Sequence, residues 1–197
     1  MKLFEQAMRT RALEIFKYAE KCFHPCGIVT PMEFFHYQYA KGKIVVWVPK
    51  DFTINMNSGL KVLLDPRVKK IVIANPLRAP HGQRAVSAMQ KEGTYDQAKD
   101  KFVPGENISQ TASFVVSGSV DIGVGALSLA LSPNMKDKGR YAEIPADEYP
   151  PIEQACVILS SSKNNEIAQQ FLSYFKSATV GDLLGGYGFD VSGRANK

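Results

Sequence analysis

Two joints between an apolar run and a helix carry the residues best suited to hold a ligand. In the first, A-N-P-L-R-A-P-H-G-Q-R-A spans residues 74–85, and Pro80 stands ahead of a helix predicted to begin near His81 and Gly82. In the second, P-G-E-N leads into I-S-Q-T-A, where Asn107 is a good N-cap before Ile108 and Gln110 completes a capping box. A helix start leaves N–H groups without intrahelical partners and adds the positive end of the helix dipole. The pair could therefore seat an anion without any charged side chain. Gly82 would let a ligand come close to the backbone. Ordinary βα loops have the same features, so the residues by themselves leave both readings open.

Other chemistry does not assemble. C-F-H-P-C places Cys22, His24 and Cys26 within five residues, but a zinc site needs about four ligands and no second cluster completes it. Pro25 also works against a helix that would aim both sulfurs at one ion. Three cysteines, with Cys156 far away, make no disulfide framework. The histidines are His24, His36 and His81, and none has a Ser or Cys partner in a nucleophile motif. Glu143, Asp147 and Glu148 read as a solvated loop rather than an acid–base pair. G-V-G at 123–125 lacks dinucleotide spacing, and its glycines are expected to let a strand pack closely. No enzyme, resident metal ion or cofactor is expected.

The elements that would position the two joints follow from the apolar pattern. Residues 4–22 have helical periodicity through Met8, Ala12, Ile15, Phe16 and Ala19, and the aromatic stretch from Phe23 to Tyr39 reads as irregular. I-V-V-W-V at 44–48 and K-I-V-I-A at 70–74 are predicted buried strands, with the short helix L-K-V-L-L between them. A helix over 82–92 stops at Gly93, K-F-V is a short strand, and a second helix covers about 108–117. Further strands are predicted at 119–126, Y-A-E-I-P and 155–159, then two closing helices, the first over 164–176. Alternating strands and helices indicate an α/β protein with mostly parallel sheets.

The chain has 197 residues, 45% of them apolar, enough for a sizeable core. A net charge of +5 is mild and scattered, which argues against a nucleic-acid groove. No window approaches the roughly 18 apolar residues of a membrane span. The front, M-K-L-F-E-Q-A-M-R-T-R-A, is too charged for a signal peptide, so a cytoplasmic location is expected as written.

I-A-N-P-L-R-A-P-H-G, V-P-G-E-N-I, D-I-G-V-G-A-L-S, E-I-P-A-D-E-Y-P-P-I and Y-G-F, in this order and spacing, resemble the molybdate-binding proteins of bacterial ABC transporters. The resemblance runs from about Tyr18 to Phe189. It implies a type II periplasmic-binding fold, two α/β lobes closing over a tetrahedral oxyanion, with a membrane permease as partner. It implies molybdate or tungstate held as an oxyanion by uncharged donors, with a periplasmic location. The motifs carry this over to the N–H groups of His81 and Ile108, beside Gly82 and Asn107. His81 stands where A-P-Y-G members have tyrosine, and Ala126 where some members offer a tyrosine hydroxyl.

The resemblance also implies that the first lobe is incomplete, since the family's leading strand and serine-rich loops have no counterpart here. The expected division is 1–51 as a first-lobe remnant with the crossing strand, 52–145 as a complete second lobe, and 146–197 as return strand and closing helices. Binding is then expected to be weakened. An alternative of another class is a cytosolic oxyanion-sensing or partner-binding module built from the same fold.

Overall fold

The computed structural model describes residues 36–157 and 165–191. The predicted helix over 4–22, the C-F-H-P-C motif and Ile158–Leu159 at the end of the 155–159 strand lie outside the described residues.

A five-stranded sheet is built from β2 (Ile44–Pro49), β3 (Ile71–Ala74), β4 (Phe102–Gly105), β5 (Ile122–Ala126) and β6 (Gly139–Glu143), in the order β4-β3-β5-β2-β6. β3 runs parallel to both β4 and β5, whereas β2 is antiparallel to β5 and β6. The sheet is thus mixed rather than mostly parallel. The reason is that β2 enters ahead of the βαβ units and pairs on their open side.

Alternate residues of each central strand face opposite core layers, as strand geometry requires. Ile44, Val46, Val48, Ile71, Ile73, Ile122 and Val124 share one layer with Ala85, Ala88 and Met89 of helix α1 (Pro80–Lys91). That layer also takes Leu60, Val62 and Leu63, from a 3-10 turn over Gly59–Leu64 where the sequence predicts a short helix. Val45, Trp47 and Val72 share the other layer with Ala112 and Val115 of helix α3 (Ile108–Val116), which follows the one-turn helix α2 (Tyr95–Ala98). Burial on both faces explains the unbroken apolar runs of β2 and β3. Each fully buried Val, Ile or Leu stabilises the unit by roughly 1.5–3 kcal/mol relative to exposure.

The helix ends follow their sequence signals. Gly93 has φ 72, Gly93 N–H bonds Gln90 O at 3.1 Å, and Thr94 N–H bonds Met89 O at 2.9 Å. This paired closure is the Schellman arrangement. Only Ile122–Ala126 of the predicted 119–126 strand is extended. Ahead of it, the Asp121 carboxylate accepts the N–H groups of Lys69 and Lys70 at 2.7 and 2.8 Å, tying β5 to the start of β3. A one-turn helix α4 (Leu127–Ala130) then precedes the loop containing Pro133.

A three-stranded sheet has the order β7-β1-β8, formed by β1 (His36–Gly42), β7 (Ile152–Val157) and β8 (Asp190–Val191). β1 falls partly in the stretch expected to be irregular. H-Y-Q-Y-A-K-G carries no apolar run, and its extended state comes from pairing in this sheet. Helices α5 (Asn165–Phe175) and α6 (Ala178–Gly186) match the two expected closing helices. Tyr39 meets Phe175 edge-on with ring centres 4.8 Å apart, and the Lys176 ammonium lies 4.7 Å from the Tyr37 ring centre.

Two compact units divide the chain. One holds Lys41–Ile152 and Gly186–Asp190; the described residues of the other lie within 36–40, Glu153–Gly185 and at Val191. Contacts thus divide the chain at 40/41 and 152/153. β2, expected as the crossing strand, is hydrogen-bonded between β5 and β6 inside the larger unit's sheet.

Candidate functional site

β3 and β4 are parallel neighbours in register from Ile71–Phe102 to Ala74–Gly105, so both end at the same sheet edge. The chain leaves β3 into α1 on one face and leaves β4 into α3 on the other. From β3 it passes to one side, to β4; from β4 it returns past β3 to β5. Such a reversal opens a crevice beyond the carboxyl ends of the strands, the usual ligand position in open α/β sheets. The structure thus brings together the two helix starts singled out in the sequence.

Local hydrogen bonds shape each start. Asn75 N–H donates to Gly105 O at 2.7 Å, joining the two loops directly. Its side-chain oxygen accepts Leu77 N–H at 2.9 Å, and its carbonyl accepts Arg78 and Ala79 N–H at 3.1 and 2.8 Å. Asn75 is therefore the organiser of the first loop, a role that the Asn-Pro pair signals as a turn starter. Pro80 opens α1, and the first intrahelical bond is Gln83 N–H to Ala79 O, so the N–H groups of His81 and Gly82 precede the ladder.

At the second start, the Asn107 side-chain oxygen accepts Gln110 N–H at 2.9 Å. The Gln110 side chain reaches back to Glu106 N–H at 2.6 Å, one residue earlier than in the usual capping box. Thr111 N–H makes the first intrahelical bond, to Asn107 O, which leaves Ile108 and Ser109 N–H ahead of the ladder. Each of the four sequence-selected residues, His81, Gly82, Asn107 and Ile108, lies at this edge.

Residues 35–190 match the family described as bacterial extracellular solute-binding proteins. The chain belongs to that family. It is a family of solute-binding proteins rather than enzymes. Two relatives are the molybdate-binding proteins ModA of Azotobacter vinelandii and Rhodobacter capsulatus. The first is 34% identical over 155 residues, 79% of this chain and 61% of its own. The second is 29% identical over 153 residues, 78% of this chain and 58% of its own. The chain thus spans about three-fifths of the length of these relatives. The solved periplasmic molybdate-binding protein of Azotobacter vinelandii superposes with a TM-score of 0.71 at 27% identity, covering 89% of this chain and 75% of that one. The fold is that of the periplasmic binding proteins.

Within this solute-binding protein, several glycines have packing reasons of their own. A Cβ on Gly82 would run into the carbonyl oxygen of Ala74 and lie 2.8 Å from its carbon, so α1 sits on the end of β3 only because residue 82 lacks a side chain. A Cβ on Gly105 would stand 2.8 Å from Thr111 Oγ1, and one on Gly123 would stand 2.6 Å from Val115 Cγ2. Gly105 and Gly123 thus bring α3 against the sheet, as the sequence suggests for G-V-G. Gly125 would make only an ordinary contact, 3.7 Å to Thr111 Cγ2.

The His81 side chain turns away from the role of an acid or base. It packs where a Cβ on Gly42 would lie 3.4 Å from its Nε2 and from Ile152 Cγ2. Burial, and secondarily the Arg84 guanidinium, push its pKa down to about 4, so the imidazole is neutral at neutral pH. What this edge offers a ligand is then backbone N–H groups and helix dipoles. Ala126 closes β5 opposite Ile44 and brings no hydroxyl. Among the described residues there is no cluster of His, Cys, Asp and Glu fit for a metal ion, and no helix long and apolar enough to cross a membrane.

Proposed function

We propose that this solute-binding protein serves an ABC importer by holding a tetrahedral oxyanion, molybdate or tungstate, at the edge where α1 and α3 begin. The observation that carries the reading is the convergence of two helix starts on adjacent strand ends, with His81 and Ile108 N–H outside the helical ladders. Two positive dipole ends and four N–H groups favour a small dianion over a neutral solute. The molybdate-binding relatives point to the same ligand class. In this reading the chain works with a membrane permease on the periplasmic side, and the ligand is cargo held as an oxyanion.

Calorimetric titration of the full chain with molybdate, tungstate, sulfate and phosphate tests it. Heat and a raised unfolding temperature with molybdate and tungstate are expected, in similar measure because the two anions share charge and nearly share size. Absence of binding to all four overturns the reading.

A further inference from the structure

Asn75, the first residue after β3, is tied to both helix starts. Its carbonyl accepts the N–H groups of Arg78 and Ala79 at 3.1 and 2.8 Å, and Ala79 is the N-cap of α1. Its side-chain oxygen accepts Leu77 N–H at 2.9 Å, closing a turn that Pro76, with no N–H of its own, could not close. Gly82 rests on the same peptide: a Cβ there would stand 3.1 Å from the Asn75 carbonyl carbon.

The second helix start is reached through the backbone. Asn75 N–H donates to Gly105 O at 2.7 Å, and Gly105 stands two residues before the cap Asn107. Gly105 also lies against α3, since a Cβ on it would be 2.8 Å from Thr111 Oγ1. One residue therefore sets where His81 N–H stands relative to Ile108 N–H. The backbone bond to Gly105 does not depend on the side chain at 75, whereas the bond to Leu77 does. Donors from two loops hold one anion tightly when their spacing is set before it arrives; otherwise part of the binding free energy goes into ordering the loop.

We propose that Asn75 is a positioning residue of the oxyanion site: its side chain holds the 75–79 turn so that both helix starts are preset for one ligand. It rests on the oxyanion reading above and deepens it, assigning part of the affinity to the spacing of the neutral donors. The ligand itself is held by the backbone N–H groups, and Asn75 acts through them.

The test compares the full chain with Asn75→Ala and Asn75→Ser, titrated calorimetrically with sodium molybdate and sodium tungstate. Amide exchange at Leu77, Arg78 and Ala79 is followed by NMR with and without ligand, and urea midpoints are recorded alongside. N75A should bind both anions roughly 3- to 10-fold more weakly, the scale of one hydrogen bond that binding must now re-form or do without. Its Leu77 amide should exchange faster in the free protein and regain protection when molybdate is added. A purely structural role would lower the urea midpoint without that ligand-dependent recovery. N75S keeps an oxygen able to close the turn, so it should restore most of the Leu77 protection and most of the affinity.

Wild-type affinity in a folded N75A overturns the inference and leaves the oxyanion reading standing. So does an N75S that protects Leu77 yet binds as weakly as N75A, because the side chain would then act by another route. If N75A does not fold, N75S and Asn75→Thr decide. Their molybdate dissociation constants should rise in step with the Leu77 exchange rate, and constants that ignore that rate overturn the inference. Wild-type chain that binds neither anion overturns both readings.

Discussion

In the proposed site His81 and Ile108 act through their backbones, so side-chain truncation is a poor test of either. Ile108 offers a cleaner one. It occupies the first helical position of α3, where proline is tolerated because no intrahelical bond is lost. Asn107 before it is extended, with φ −151 and ψ 175, as the residue preceding proline must be. Ile108→Pro should thus delete one N–H while leaving the fold intact. Molybdate affinity should fall by about 2 kcal/mol, the scale of a hydrogen bond to a charged group. Unchanged calorimetric affinity in a folded variant would remove Ile108 from the site. Gly82 predicts the opposite pattern. Gly82→Ala forces a methyl into the Ala74 carbonyl and should cost about 1–3 kcal/mol of stability, seen as a lower urea midpoint before any ligand is added. The His81 side chain has a pH signature. Its folded pKa of about 4 lies below the usual 6.5, so the unfolded chain binds more protons between those values. Stability from this group is fully present above pH 6.5 and is lost as pH falls toward 4. Urea midpoints measured over that window should decline on acidification, and His81→Gln should flatten its share of the slope.

The two helices show which signals act locally and which wait for the fold. α3 begins where Asn107 caps it, and Asn107→Ala should cost about 1 kcal/mol while Asn107→Ser retains most of the stability, as thermal unfolding would register. That cap, the proline opening α1 and the glycine ending it were legible because each acts within one turn of chain. The apolar runs of β2 and β3 were legible because burial on both faces leaves no polar residue to interrupt them. β1 was not legible, since H-Y-Q-Y-A-K-G becomes a strand only through partners far along the sequence. β2 was legible as a strand, but an apolar run does not say which sheet receives it. The candidate site divides the same way. The motifs located its two helix starts. The joining bond from Asn75 to Gly105 depends on β3 and β4 lying side by side, and the fit of Gly82 on Ala74 on the loop folding back over the end of β3.

At the scale of the molecule, the larger unit carries both helix starts of the proposed site. Both core layers and the starts of α1 and α3 lie within Lys41–Ile152, joined only by the short return Gly186–Asp190. An apolar core shared by five strands and two helices, with no staple required, is enough for independent folding at this length. A fragment covering 41–152 should therefore unfold cooperatively. Trp47, the single tryptophan, is 2% exposed in one core layer and reports tertiary packing directly. Its fluorescence and the far-ultraviolet circular dichroism should change at the same urea concentration, the mark of a two-state unit. The midpoint should lie below that of a fragment with Gly186–Asp190 appended by a flexible linker. Gly188, at φ 79, brings that return so close to Leu127 that a Cβ there would stand 2.5 Å from Leu127 Cδ2. Separate transitions for the two probes would show that the division at 40/41 and 152/153 does not mark a folding unit.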